Sequence, residues 1–142
     1  MALTLTQRLI VDPDSVIGRY RPAARVAAIS GVIFVFAGLV KFVFHHWELD
    51  AFRSFGLPWP SALEILAGGL EVVGGVLLVL RRWVVPAAGL LAATMIVAIA
   101  ASGIGHGDVI PSLTLAPALL IAMIYLLASA VTGAHSGKPR PR

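Results

Sequence analysis

The stretch Ser61-Ala62-Leu63-Glu64-Ile65-Leu66-Ala67-Gly68-Gly69-Leu70-Glu71-Val72-Val73-Gly74-Gly75-Val76-Leu77-Leu78-Val79-Leu80 carries two charges in twenty residues, Glu64 and Glu71. A helix of about 20 mainly apolar residues spans the hydrocarbon core of a bilayer. Glu64, Gly68, Glu71 and Gly75 recur at three- and four-residue steps, the spacing of one helical face. The stretch predicts a transmembrane helix with carboxylates and small residues on a single stripe.

Working outward, three further runs are apolar and long enough to cross. The expected spans are 24–44, 61–80, 84–102 and 109–131. They lack the alternation of barrel strands, and only helices or closed barrels satisfy the backbone in lipid. Gly56-Leu57-Pro58-Trp59-Pro60 interrupts the first pair, because proline lacks a donor and restricts its predecessor. Arg81-Arg82 separates the second pair at a charge cost the bilayer centre would not tolerate. Gly103-Ile104-Gly105-His106-Gly107-Asp108 is a polar turn before the last span. The expected fold is an all-α integral membrane four-helix bundle.

Composition agrees. Of 142 residues, 58% are hydrophobic and 13% charged, well outside the range of soluble domains. The mean hydropathy is +0.92. One domain of this size has too much surface to bury so much apolar material without lipid. The net charge of +4 is spread along the flanks of apolar runs, not gathered into an aromatic-rich basic patch. No nucleic-acid partner is therefore expected, and contact with anionic headgroups is. The chain has no cysteine, which excludes disulfides, thiolate metal sites and cysteine-ligated clusters.

Lysine and arginine set the orientation. Arg8, Arg19 and Arg21 precede the first span and Arg25 stands at its very start, Arg81 and Arg82 join the middle pair, and Lys138, Arg140 and Arg142 follow the last. The two opposite loops hold only Arg53. Both termini are expected in the cytoplasm. Phe42, Phe44, Trp47 and Trp59 then lie at the outer boundary, and Trp83 at the inner. Residues 1–23 read as a cytoplasmic segment, partly interfacial over Leu3 to Val11, and 24–131 as the membrane domain. Residues 132–142 read as a basic, disordered cytoplasmic tail. Trp47 to Phe55 reads as a short amphipathic helix on the outer surface, ended by Gly56. Asp12, Pro13 and Asp14 interrupt the chain before the first span, so no signal peptide is expected.

Lys41, Glu64 and Glu71 are the ionisable residues inside the spans. Each costs at least ~2.5 kcal/mol in hydrocarbon if unpaired. Helical side chains lean toward their own N-terminus, so Lys41 leans inward and Glu71, on an antiparallel neighbour, leans outward. In the first span Gly31, Phe34, Gly38 and Lys41 share a stripe. Gly31, Gly38, Gly68 and Gly75 are the expected packing contacts, with the lysine between two carboxylates. Such a cluster can be a polar ligand pocket, or a structural ion pair that fixes helix register.

Other polar residues carry less. His45, His46 and His106, with Glu48, Asp50 and Asp108, are weak metal candidates, because their spacing matches no specific site. No metal is expected. Pro117 predicts a kink in the last span, and Thr114, Tyr125 and Ser129 are candidates to satisfy freed groups. Met95 and Met123 read as core fillers.

The order Phe36-Ala37-Gly38-Leu39-Val40-Lys41, then Phe55-Gly56-Leu57-Pro58, then Ala67-Gly68-Gly69-Leu70-Glu71-Val72-Val73-Gly74-Gly75 resembles the DoxX family of small bacterial membrane proteins. The resemblance runs from about Ala24 to Val131. It implies a four-helix membrane bundle in the bacterial inner (plasma) membrane, associated with quinone-linked redox complexes. Lys41 and Glu71 match its recurring polar positions, whereas Glu64 rests on the helical spacing above. The paired-cysteine chemistry of four-helix quinone-reducing enzymes is excluded here.

Two functions follow as expectations. One is an accessory or assembly subunit of a larger membrane redox complex, with other subunits or a second copy as partner. The other is a quinone-binding oxidoreductase component in which Lys41, Glu64 and Glu71 handle the ligand and its protons. Quinone is the one candidate cofactor, and no covalent cofactor is expected.

Overall fold

The structure is a computed structural model that describes residues 21–54, 56, 58–105 and 110–135. The expected interfacial segment Leu3 to Val11, the loop residues His106 and Asp108, and the basic tail beyond residue 135 lie outside the described residues. The chain forms α1 (Arg21–Val43), α2 (His45–Ser54), α3 (Pro60–Val79), α4 (Val84–Gly105) and α5 (Ile110–His135). The four long helices make the all-α bundle that the sequence predicts. No strand occurs among the described residues. Arg21–Val43, Pro60–Val79 and Thr114–Thr132 are long and apolar enough to cross a membrane. α4 runs for 22 residues, longer than the lower limit of about 17 for a span.

The bundle is assembled from two tight helix pairs, α1 with α3 and α4 with α5. A Cβ on Gly31 would stand 2.7 Å from the Gly75 carbonyl oxygen, and one on Gly38 would stand 2.7 Å from that of Gly68. No real side chain fits there, so α1 and α3 touch backbone to backbone. In lipid, dispersion between closely approached backbones drives helix association, because burying apolar surface gains little. The second pair packs through Ala87, Ala88, Leu91 and Met95 against Leu119, Met123 and Leu126. Leu91 also fills the hollow over Gly74, which ties the pairs together. Outward, Ile29, Val32 and Phe36 of α1 and Ile121 and Ile124 of α5 are exposed. Lipid is their natural solvent.

The loops are tight. Phe44 alone separates α1 from α2, and its N–H still donates to the Val40 carbonyl at 2.8 Å. At Gly56 the backbone takes φ +67, with its N–H bonded to the Arg53 carbonyl at 3.0 Å. Pro60 opens α3, where a missing N–H costs nothing.

The end of α3 is a Schellman motif: Arg81 N–H donates to the Leu78 carbonyl at 3.1 Å and Arg82 N–H to that of Leu77 at 2.9 Å. The left-handed position in that motif usually belongs to glycine, yet Arg81 holds it at φ 54. Trp83, which precedes α4, is also at φ 54. Each costs roughly 1–3 kcal/mol of backbone strain. Charge alone suggested a break at Arg81-Arg82, and the carbonyl-capping turn supplies its geometry.

Pro117 lies inside α5. Ser129 donates to the Tyr125 carbonyl at 2.7 Å, more than three turns beyond the Leu113 carbonyl that Pro117 frees. Met95 and Met123 are buried in the core.

Candidate functional site

The glycine contacts fix how the charged residues can meet. With Gly31 on Gly75 and Gly38 on Gly68, each step along α1 matches a step back along α3. In that register Lys41 stands level with Ile65. Its ion pair is nevertheless with Glu71, Nζ to Oε2 at 3.1 Å, six residues deeper. Six residues are about 9 Å of helix axis. The Lys41 stem runs inward and the Glu71 side chain outward, each toward the N-terminus of its own helix. The lysine side chain is 18% exposed and the glutamate 5%, so the contact is largely removed from solvent.

Glu64 lies two helical turns from Glu71, toward the N-terminal end of α3. Its side chain is 2% exposed. The sequence suggested that Lys41 would sit between both carboxylates, but the structure divides the work. His45 Nδ1 lies 2.9 Å from Glu64 Oε1 and 2.8 Å from Oε2. Both carboxylate oxygens are thus within bonding distance of the one ring nitrogen. With Nδ1 alone protonated this contact is a hydrogen bond, and with both ring nitrogens protonated it is an ion pair. The imidazole is 40% exposed, so it also connects the buried carboxylate to the surface.

His45 was a weak metal candidate in the sequence, and its role as partner to Glu64 was not read there. The signal was present. His45 follows Lys41 by four residues, which places both on one face if the helix continues, and the bond from Phe44 to Val40 carries helical geometry across the junction. The result is a ladder of two rungs, Lys41–Glu71 and His45–Glu64, between neighbouring elements. His46 is exposed, with its ring 5.9 Å from that of His45. No group of three or more metal-ligating side chains occurs among the described residues.

The arrangement has two chemical capacities. It neutralises buried charge pairwise, which locks α1 and α2 onto α3. It also links a buried carboxylate, Glu64, to the surface through a half-exposed imidazole.

The DoxX family model matches residues 23–104, more than half of the 142-residue chain. The match takes in both rungs of the ladder and all four seam glycines, and it leaves out α5. No match is found among curated proteins or among solved structures.

Proposed function

The chain belongs to the DoxX family, and from that premise we propose that it is an accessory or assembly subunit of a larger redox complex in the bacterial inner membrane. The pairing of Lys41 with Glu71 and His45 with Glu64 carries this reading. Buried charges that answer one another fix the placement of helices, which is what a scaffold needs. The arginine and lysine bias supports cytoplasmic termini, with α2 on the outer surface. The test is purification from native membranes in mild detergent, followed by native electrophoresis and mass spectrometry. Co-migration with oxidoreductase subunits is expected, together with loss of the assembled complex when the chain is deleted. A chain that runs alone, and whose deletion leaves every respiratory complex at full level, would overturn the reading.

A second reading is favoured by one observation, a buried Glu64 carboxylate that meets the half-exposed His45 imidazole. A quinone entering near His45 would find an imidazole and a lysine able to donate to its carbonyls, and two carboxyl groups able to take up and pass on protons. Electrons would have to come from a partner protein. Titration of a quinone analogue into wild type and Glu71→Gln in the same detergent separates the readings. A pocket requires wild-type binding that the substitution weakens far more than it lowers stability. A folded wild type that binds no analogue, with its native partners present, leaves the scaffold reading alone.

A further inference from the structure

At the opposite end of the α1–α3 seam, the same glycine register sets Arg25 of α1 level with Arg81 after α3. Arg21 stands one turn before Arg25, and Arg82 and Trp83 follow Arg81. All five side chains are exposed. None of the four arginine side chains has an ion pair or hydrogen bond among the described residues. Buried Ala23, Ala27, Leu78 and Val84 close the bundle beneath them, so the guanidinium groups crowd a rim and not an interior. The carboxylates whose side chains are described, Asp50, Glu64 and Glu71, lie at the midplane or toward the other end. The chain holds four positive charges together with nothing described to balance them.

Two further features give this rim a ligand. Arg81 and Trp83 both occupy left-handed backbone. The Schellman turn would close more easily on glycine, yet it places a guanidinium there. Arg25 also begins a lipid-facing stripe, Arg25, Ile29, Val32 and Phe36, whose apolar members are all exposed. Across the close glycine seam Val76 and Val79 of α3 are exposed too. Exposed apolar side chains on both helices therefore lead away from the arginines. A headgroup with an acyl chain fits both parts, whereas a soluble anion fits only one.

We propose that the arginine rim of the α1–α3 seam binds an anionic phospholipid with two phosphates, of the diphosphatidylglycerol class. Arg25, Arg81 and Arg82 hold the phosphates, Trp83 lies at the headgroup boundary, and an acyl chain lies against the exposed apolar side chains that follow Arg25. Guanidinium forks bind phosphate oxygens in pairs, which favours a ligand with more than one phosphate over a singly charged lipid. Basic rims between membrane helices are suited to such headgroups. The site does not depend on which complex the chain joins.

The test uses the full chain in phosphatidylcholine nanodiscs containing a small fraction of diphosphatidylglycerol or of phosphatidylglycerol matched in phosphate. Lipid retained by the protein is counted by native mass spectrometry, and the melting temperature is recorded in each composition. The wild type should retain diphosphatidylglycerol at least about tenfold over phosphatidylcholine, and the lipid should raise its melting temperature by several degrees. Arg81→Gly is the decisive variant, because glycine suits the left-handed turn. It should fold as well as the wild type in phosphatidylcholine while losing most of the lipid preference. Arg25→Gln, on the other helix, should reduce the preference without touching that turn. A wild type without preference, or an Arg81→Gly variant that keeps it in full, would overturn the proposal. So would soluble pyrophosphate that displaces the lipid at equal phosphate concentration, since the apolar side chains would then contribute nothing.

Discussion

Lys41 reaches past its own level on α1 to meet Glu71 six residues deeper, at 3.1 Å. A lysine two residues from the end of its helix could instead extend its stem to the membrane surface. It does the reverse because Glu71 has no such exit, and a carboxylate near the midplane is far more costly alone than beside a cation. The deeper charge sets the direction in which the shallower one points.

Removing the cation should therefore cost more than removing a surface lysine. Lys41→Met should lower stability by roughly 3 kcal/mol, the low end for breaking a buried pair. Adding Glu71→Gln should restore part of the loss. Reversible unfolding in mixed micelles over the full double-mutant cycle measures the coupling, and strictly additive losses would argue against the contact.

The second rung makes a contrast between adjacent histidines. His45→Ala leaves a buried carboxylate without its donor, and should cost about 1–3 kcal/mol. His45→Gln keeps a donor and should cost less. His46→Ala should stay within roughly 0.5 kcal/mol, as exposed substitutions do. Equal effects at both positions in the same unfolding assay would contradict the His45–Glu64 contact.

The seam makes a contrast between glycines. Gly38→Ala puts a Cβ 2.7 Å from the Gly68 carbonyl oxygen, so α1 and α3 must separate. A loss of about 1–3 kcal/mol is expected from the forced shift. Gly69→Ala meets nothing within 4 Å. It should be neutral, or stabilising by up to about 1 kcal/mol from helix propensity. If the order is reversed, the seam does not lie where these contacts put it.

Orientation is read with reporter fusions. Fusions after Val131 and at Arg81-Arg82 should report the cytoplasm, and fusions near Arg53 and Asp108 the outside. A C-terminus on the outer side would require an odd number of spans and would break the proposed topology.

The sequence by itself determined the class of the fold and its solvent. Apolar runs near 20 residues, proline and arginine breaks, and the scarcity of charge leave a membrane helix bundle as the only way to satisfy backbone and side chains together. These are properties of short segments, so they can be read locally. The three buried charges and the small-residue stripes were legible for the same reason, since a helical period shows which residues share a face. That Lys41 would meet Glu71 was legible from the lean of the two side chains, but that Glu64 would go elsewhere was not. Pairing depends on the register between helices, and that register follows from where Gly31 and Gly38 press on Gly75 and Gly68. Glu64 went to His45 and not to Lys41 because α2 continues α1 across Phe44 and brings the imidazole over the N-terminal end of α3. The sequence offered His45 only as a weak metal candidate, because nothing local shows how α2 would follow α1. The left-handed Arg81 was hidden likewise: two arginines announce an interface, but only the closed hydrogen-bonded turn decides that one of them takes the conformation glycine would prefer.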